Sequence, residues 1–238
     1  MKKFLAALVS LAVLVGLATP AQAVIGGTVS TYGPWAVRML VNGEPFCTAT
    51  AVAPNWILGA DHCFRGFDDS ELSFRVGNLD QRLGREIRPI PGTRRGNPHT
   101  DMMLIEVPAM NVPVLRLADP GDDPVGAPVT VYGWGATCGD EGSCQSDVLR
   151  QAEMRILPMG DQRCVENHFS VPGGPDICIE SVHGVPAGGD SGGPVVLTRP
   201  DGVQVLVAVL AYGDRVSLSS GGEIAQQREW IRSVIGEG

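Results

Sequence analysis

The 238-residue chain lacks several features that would each point to a class of function. It has no Cys-x-x-Cys pair and no His-x-Cys spacing, so its six cysteines are not set out as a zinc site. It has no basic cluster, which argues against nucleic acid and anionic membranes as partners. Past the first 23 residues no apolar run is long enough to span a bilayer. No internal repeat appears at the 20–50-residue scale, and there is no low-complexity tract. These absences leave a globular, non-repetitive domain with chemistry of its own.

The amino-terminal stretch has the form of a secretory signal. Lys2 and Lys3 supply a positive start, Phe4–Leu17 is apolar but short for a span, and Ala21 and Ala23 give a small-x-small cleavage pattern. Cleavage after Ala23 makes Val24 the mature amino terminus; cleavage after Ala21 would leave Gln22-Ala23 as a dipeptide extension. The expected divisions are thus 1–23, a signal peptide, and 24–238, a secreted, extracellular domain that is membrane-free once mature. That domain carries 16 basic and 26 acidic residues, a net charge of −10. All six cysteines, at 47, 63, 138, 144, 164 and 178, follow the signal, and an even count in a secreted chain predicts three disulfides in one of fifteen connectivities.

The 31 glycines and 18 prolines are scattered between short apolar stretches. Strands are expected at 36–41, 48–52, 56–60, 72–76, 86–90, 102–107, 128–132, 149–157, 194–197 and 203–210, each rich in β-branched or aliphatic residues. Close turn signals favour an all-β sandwich or barrel over alternating βα units. Only the end reads as helix: Ile224, Ile231, Val234 and Ile235 recur near helical spacing, and Gly236 can stop them. The proline-rich, acidic stretch 108–128 is the expected connection between two halves.

The densest chemistry lies in Gly188–Pro194, Gly-Gly-Asp-Ser-Gly-Gly-Pro. Glycine is wanted where the backbone takes φ > 0 or closely approaches a ligand. A turn so built would expose the Ser191 hydroxyl and aim backbone N–H groups at one point, as a weak nucleophile requires; the bland alternative is a glycine-rich surface turn. A serine nucleophile needs a base, and the base an orienting carboxylate. Of four histidines, His62 follows an apolar strand and precedes Cys63, whereas His99, His168 and His183 read as exposed loop residues. Asp101 stands immediately before an apolar strand, where it is either a half-desolvated partner for an imidazolium or a simple strand-edge acid.

Taken together these stretches resemble the chymotrypsin-like (trypsin-like) serine protease family. Ala60-Asp61-His62-Cys63 resembles its histidine motif, Asp101-Met102-Met103-Leu104-Ile105 its aspartate motif, and Gly189-Asp190-Ser191-Gly192-Gly193-Pro194 its serine motif. Val24-Ile25-Gly26-Gly27 resembles its mature amino terminus and Gly133-Trp134-Gly135 one of its loops. The resemblance covers 24–238 and implies two packed six-stranded antiparallel β-barrels with a C-terminal helix. It implies a secreted serine endopeptidase working through an acyl-enzyme, with Ser191 as nucleophile, His62 as base and Asp101 as its orienter. The N–H groups of Gly189 and Ser191 would form the oxyanion hole, and the freed Val24 amine would pair with Asp190. Cys47–Cys63 and Cys164–Cys178 resemble family disulfides, leaving Cys138 and Cys144 to each other. Protein or peptide substrates and proteinaceous inhibitors are the implied partners of a monomer.

The chain departs from the family in places. Asp61 replaces a small apolar residue beside the base. Ala187 stands where the family usually has a cysteine, so the bridge that ties the pocket walls is missing. The expected pocket has a floor near Val185 and walls from Ala211, Tyr212 and Gly213, which suits a small or medium apolar side chain and lacks the acid of trypsin-like enzymes. An inactive homologue acting as a binding protein is the alternative, although such homologues typically lose the serine or histidine. No metal or cofactor is implied; Asp68-Asp69-Ser70-Glu71 reads as an acidic solvated turn rather than a calcium loop.

Overall fold

A computed structural model describes residues 24–138 and 144–236. The signal-peptide assignment to 1–23 therefore lies outside the described residues. The chain is all-β, built as two antiparallel sheets with a C-terminal helix.

In the first sheet the neighbouring order is Arg85–Ile87, Leu72–Val76, Ala36–Val41, Glu44–Ala53, Trp56–Gly59, Met103–Glu106, Arg95–Gly96. Ala36–Val41 is buried at every position because it is flanked on both edges and packed on both faces. An unbroken aliphatic run suits such a strand, and Arg38 is the one exception within it.

The second sheet runs Thr28–Val29, Arg150–Ile156, Pro128–Gly133, Pro194–Thr198, Gln204–Gly213, Leu218–Glu223, Asp176–His183. Asp176–His183 also pairs back onto Arg150–Ile156, so six strands close into a barrel. Residues 107–127 pass from the first sheet to the second, and on the way Arg116–Leu117 adds a short parallel pairing to Val205–Leu206. The buried side chains of both sheets join in one contiguous core, and Trp35 meets Tyr132 edge to face across the junction, with ring centroids 5.0 Å apart.

The terminal helix spans Ile224–Ile235 and buries Ile224, Gln227 and Ile231. Gly236 ends it in the left-handed region at φ 84°, where glycine has no Cβ penalty. Among the described residues no helix is long and apolar enough to cross a membrane. Three disulfides join Cys47 to Cys63, Cys138 to Cys144 and Cys164 to Cys178. The acidic turn at Asp68–Glu71 is a capped 3-10 turn: Asp69 binds Arg94, and Glu71 accepts from the Asp68 N–H and from Asn42.

Five strands escape the sequence reading, Thr28–Val29, Arg95–Gly96, Arg116–Leu117, Asp176–His183 and Leu218–Glu223, as does the short helix Gln162–Glu166. His183 consequently ends a strand rather than lying in a loop, though it is exposed like His99 and His168.

Candidate active site

The site forms at the junction of the sheets. His62 sits in a 3-10 turn, Asp61–Phe64, that follows the buried strand Trp56–Gly59. The Cys47–Cys63 bridge ties that turn to the neighbouring strand Glu44–Ala53, which fixes the histidine backbone. Asp101 is set by the turn before Met103–Glu106. There the Asn97 side chain accepts the N–H groups of His99 at 2.8 Å and Thr100 at 3.2 Å.

His62 and Asp101 meet through two contacts. His62 Nδ1 lies 2.5 Å from Asp101 Oδ2, and the His62 backbone N–H donates to Asp101 Oδ1 at 2.9 Å. The Asp101 side chain is 9 % exposed and that of His62 28 %. Desolvation pushes the Asp101 carboxyl up, but the hydrogen bonds and charge of His62, with Arg65 behind them, outweigh it and hold the group below the usual carboxylate range. The second shared contact fixes the acid against the histidine's backbone as well as its ring, leaving Nε2 directed away from Asp101. Tyr212 stacks on the imidazole, with centroids 5.5 Å apart and 26° between planes. Asp61 turns to the surface, where Arg65 holds its carboxylate at 2.7 Å.

Ser191 lies across a cavity of about 240 Å³ that His62 also lines. The glycines around it are required by close approaches. At Gly192, φ is +81° and a Cβ would lie 2.3 Å from the Thr48 carbonyl oxygen and 2.9 Å from the Ala60 nitrogen. At Gly193 a Cβ would lie 2.4 Å from the Tyr132 carbonyl oxygen. The loop is thus pressed against both sheets, and Ser191 O accepts the Thr48 N–H at 2.9 Å.

The carbonyl groups before the serine point inward. Gly188 O accepts the Ala136 N–H at 2.7 Å, and Gly189 O accepts the Thr48 hydroxyl at 2.9 Å and Arg38 Nη1 at 3.1 Å. A peptide whose carbonyl is held inward turns its N–H outward, which leaves the Gly189 amide facing the cavity side of the loop. Asp190 is fully buried; its carboxylate accepts the N–H groups of Gly135 at 2.7 Å and Ala187 at 2.9 Å. Its own N–H donates to Ala187 O at 3.0 Å. The Asp190 side chain thus ties Ala187 to Gly135.

Arg38 is a site residue that the sequence reading missed. Its guanidinium is fully buried, and besides Gly189 O it binds Gln81 Oε1 at 3.2 Å, Cys47 O at 3.4 Å and Gln145 Oε1. Burial pushes its pKa down to about 10, with the charge of Asp190 opposing. A lone arginine in an apolar strand carries no sequence signal that it points inward.

The amino-terminal segment packs against the second sheet. Val24 is fully buried, Ile25 bridges to Val185, and Thr28–Val29 pairs with Arg150–Ile156. Gly27 packs on both Val24 and the Gln151 carbonyl, Gln151 pairs with Tyr132, and the adjacent Gly133 lies against Asp190. Of the expected pocket residues, Ala211, Tyr212 and Gly213 line the cavity; Val185 is not among its lining residues, and its backbone N–H donates to Ile25 O at 2.8 Å. Pro186, Ala187, Gly188, Leu210 and Arg215 line it as well.

A family model described as Trypsin matches residues 24–227. The chain is 28% identical to Serine protease 56 of Homo sapiens over 219 residues, 80% of this chain and 34% of that protein. It is 29% identical to Transmembrane protease serine 9 of Rattus norvegicus over 225 residues, 83% of this chain and 20% of that protein. It is 29% identical to Suppressor of tumorigenicity 14 protein homolog of Bos taurus over 243 residues, 90% of this chain and 28% of that protein. The chain thus spans about a third or less of the length of these relatives.

Proposed function

The chain belongs to the trypsin family of serine proteases, and on that premise we propose that it is an active, secreted endopeptidase with His62, Asp101 and Ser191 as its triad. The observation that carries this reading is the doubly bonded His62–Asp101 pair, 2.5 Å at Nδ1, opening onto the same cavity as Ser191. With Nδ1–H committed to Asp101, Nε2 is the nitrogen left to take a proton. His62 accepts the Ser191 proton as Oγ attacks a peptide carbonyl, and returns it to the leaving amine. Asp101 fixes the tautomer and stabilises the imidazolium. The Gly189 and Ser191 N–H groups receive the negative charge that develops on the carbonyl oxygen. Water then repeats the sequence on the acyl-enzyme.

The domain assignment is part of the proposal: 1–23 an export signal, 24–238 the peptidase, joined from two lobes near 108–128. So is the activation step. The freed Val24 amine pairs with Asp190, and removal of the export signal suffices to create it. The burial of Val24 and of Asp190 supports this pairing. Peptide and protein substrates, proteinaceous inhibitors and a monomeric state complete the reading. The test is Ser191→Ala, for which activity below about 10⁻³ of wild type is expected; near-normal turnover would overturn it.

A further inference from the structure

The turn that carries the base carries a charge pair as well. Asp61 and Arg65 stand four residues apart, and Arg65 Nε and Nη2 both reach Asp61 Oδ2, at 2.8 and 2.7 Å. The same Nη2 lies 3.5 Å from Asp101 Oδ1, the oxygen that accepts the His62 backbone N–H. The Asp61 N–H in turn donates to the Asp101 carbonyl oxygen at 3.3 Å. Acid, base and charge pair are therefore tied together between one 3-10 turn and the loop before Met103–Glu106.

Exposure falls along this row. The Arg65 side chain is 65 % exposed, that of Asp61 24 % and that of Asp101 9 %. The guanidinium sits at a normal hydrogen-bond length from Asp61 and at the outer limit of one from Asp101. Asp61 thus restrains a cation that would otherwise close on the triad acid. The hydrogen bond and charge of Asp61, with the charge of Asp101 added, raise the Arg65 pKa above its ordinary value, so the cation is present at every working pH. The charged and titratable groups around His62 come from several elements. Asp61 and Arg65 belong to its own turn, Asp101 to the loop before Met103–Glu106, Tyr212 to Gln204–Gly213, and Arg215 lines the same cavity. Asp176, on Asp176–His183, lies within the field of Asp101: burial raises its carboxyl and the charge of Asp101 adds to the rise, against a Thr100 hydrogen bond.

Two cations draw on Asp101 during the reaction. His62 gains a positive charge as it takes the Ser191 proton, and Asp101 stabilises it. A second cation held against Asp101 weakens that support by like-charge repulsion, and a carboxylate beside the turn strengthens it. We propose that Asp61 and Arg65 are a balanced pair of positioning residues that act through Asp101 to set the pH above which His62 works as a base. This inference rests on the proposed roles of His62, Asp101 and Ser191. It gives a use to Asp61, which stands where a small apolar residue was expected beside the base.

The test is the pH dependence of kcat/KM for the mature chain, whose acid limb reports the base of the free enzyme. Arg65→Gln removes the cation and leaves the Asp61 carboxylate unpaired, so the midpoint of the limb should rise. Asp61→Asn frees Arg65 to close on Asp101, so the midpoint should fall. Each shift should be about 0.2–0.7 in pH, the size expected of an exposed pair. The double variant should return close to wild type, and Arg65→Lys, which keeps the charge, should lie between wild type and Arg65→Gln. A merely structural role would lower the rate without moving the limb. Shifts in the same direction, a midpoint unmoved in either single variant, or a double variant displaced beyond both would each overturn the proposal. Labelling of Ser191 by an organophosphate is measured first on each preparation. Failure of the wild type to label overturns the catalytic reading itself, whereas labelled variants without opposed shifts overturn only the role of the pair.

Discussion

Replacing Arg38 with Met removes a buried charge while keeping most of the side chain's length. In the native protein burial pushes the guanidinium down to about 10, a cost of about 3 kcal/mol relative to its ordinary value. Met escapes that cost. It also strips donors from the Gln81 and Gln145 side-chain oxygens, at about 1–3 kcal/mol for each acceptor left buried and unpaired. The two effects oppose each other and are of similar size, so stability should change little. Catalysis should change far more. Gly189 O keeps the Thr48 hydroxyl but loses the guanidinium, so Gly189 is held less firmly and can shift, carrying with it the adjoining Gly188–Gly189 peptide whose N–H stands at the oxyanion position. If the Gly189 N–H leaves the oxyanion position, the loss is about 10²–10³ in kcat. The assay is hydrolysis of an activated ester, with kcat and KM measured separately and a thermal melt on the same sample. We expect kcat to fall about 100-fold with KM little changed, and Arg38→Lys to recover part of the loss. A folded Arg38→Met protein with kcat within about threefold of wild type would refute the reasoning.

Other outcomes follow from the same geometry. Converting Cys47 and Cys63 to Ala should cost about 3 kcal/mol in urea unfolding on the chain-entropy account of a 16-residue separation, and should also lower kcat because Cys63 abuts His62. Removing Cys138–Cys144, separated by only 6, should cost about 2 kcal/mol and leave His62 in place; equal effects on kcat would contradict this. Burial pushes the Glu223 carboxyl up to about 7, opposed by a Gln226 hydrogen bond and reinforced by Asp123 and Asp176. The folded state therefore holds a proton that the unfolded state has lost, so stability should fall as pH rises from about 4.5 to about 7 and then level off. Glu223→Gln should flatten that profile, and an unchanged slope would dismiss Glu223 as its source. Mass spectrometry of the secreted protein should find Val24 at the amino terminus; a fully active form beginning earlier would refute the Val24–Asp190 pairing.

Much of the fold was legible because burial writes itself into composition. Ala36–Val41 and Leu72–Val76 were bounded correctly, since each is a short, mainly apolar stretch next to turn residues. Leu218–Glu223 was missed for a physical reason. Its Ser-Ser-Gly-Gly core reads as a turn, yet every residue is buried, and the glycines admit crossing groups. A Cβ at Gly221 would lie 2.3 Å from the Val209 carbonyl oxygen, and one at Gly222 2.6 Å from the Thr100 hydroxyl and Met102 Cε. Small residues serve crowded strands and turns alike, and composition does not separate the two.

The site divides the same way. His62, Asp101 and Ser191 each stand in a motif whose neighbours serve one local geometry, so their resemblance to a known family was readable. Arg38 and Arg215 have no such neighbours. One points inward only because Gly189, Gln81 and Gln145 surround it in space, and the other reaches the cavity only because Asp214 folds its loop. Counting back from Ser191 to Val185 likewise cannot reveal that Ile25 pairs with its backbone.

The most direct measurement is covalent labelling of the mature protein by an active-site organophosphate, read by peptide mapping against Ser191→Ala. The account predicts one adduct, on Ser191, formed with loss of peptidase activity in step and absent from the Ala variant. Peptidase activity that persists without an adduct, or an adduct that forms equally on the Ala variant, would contradict it.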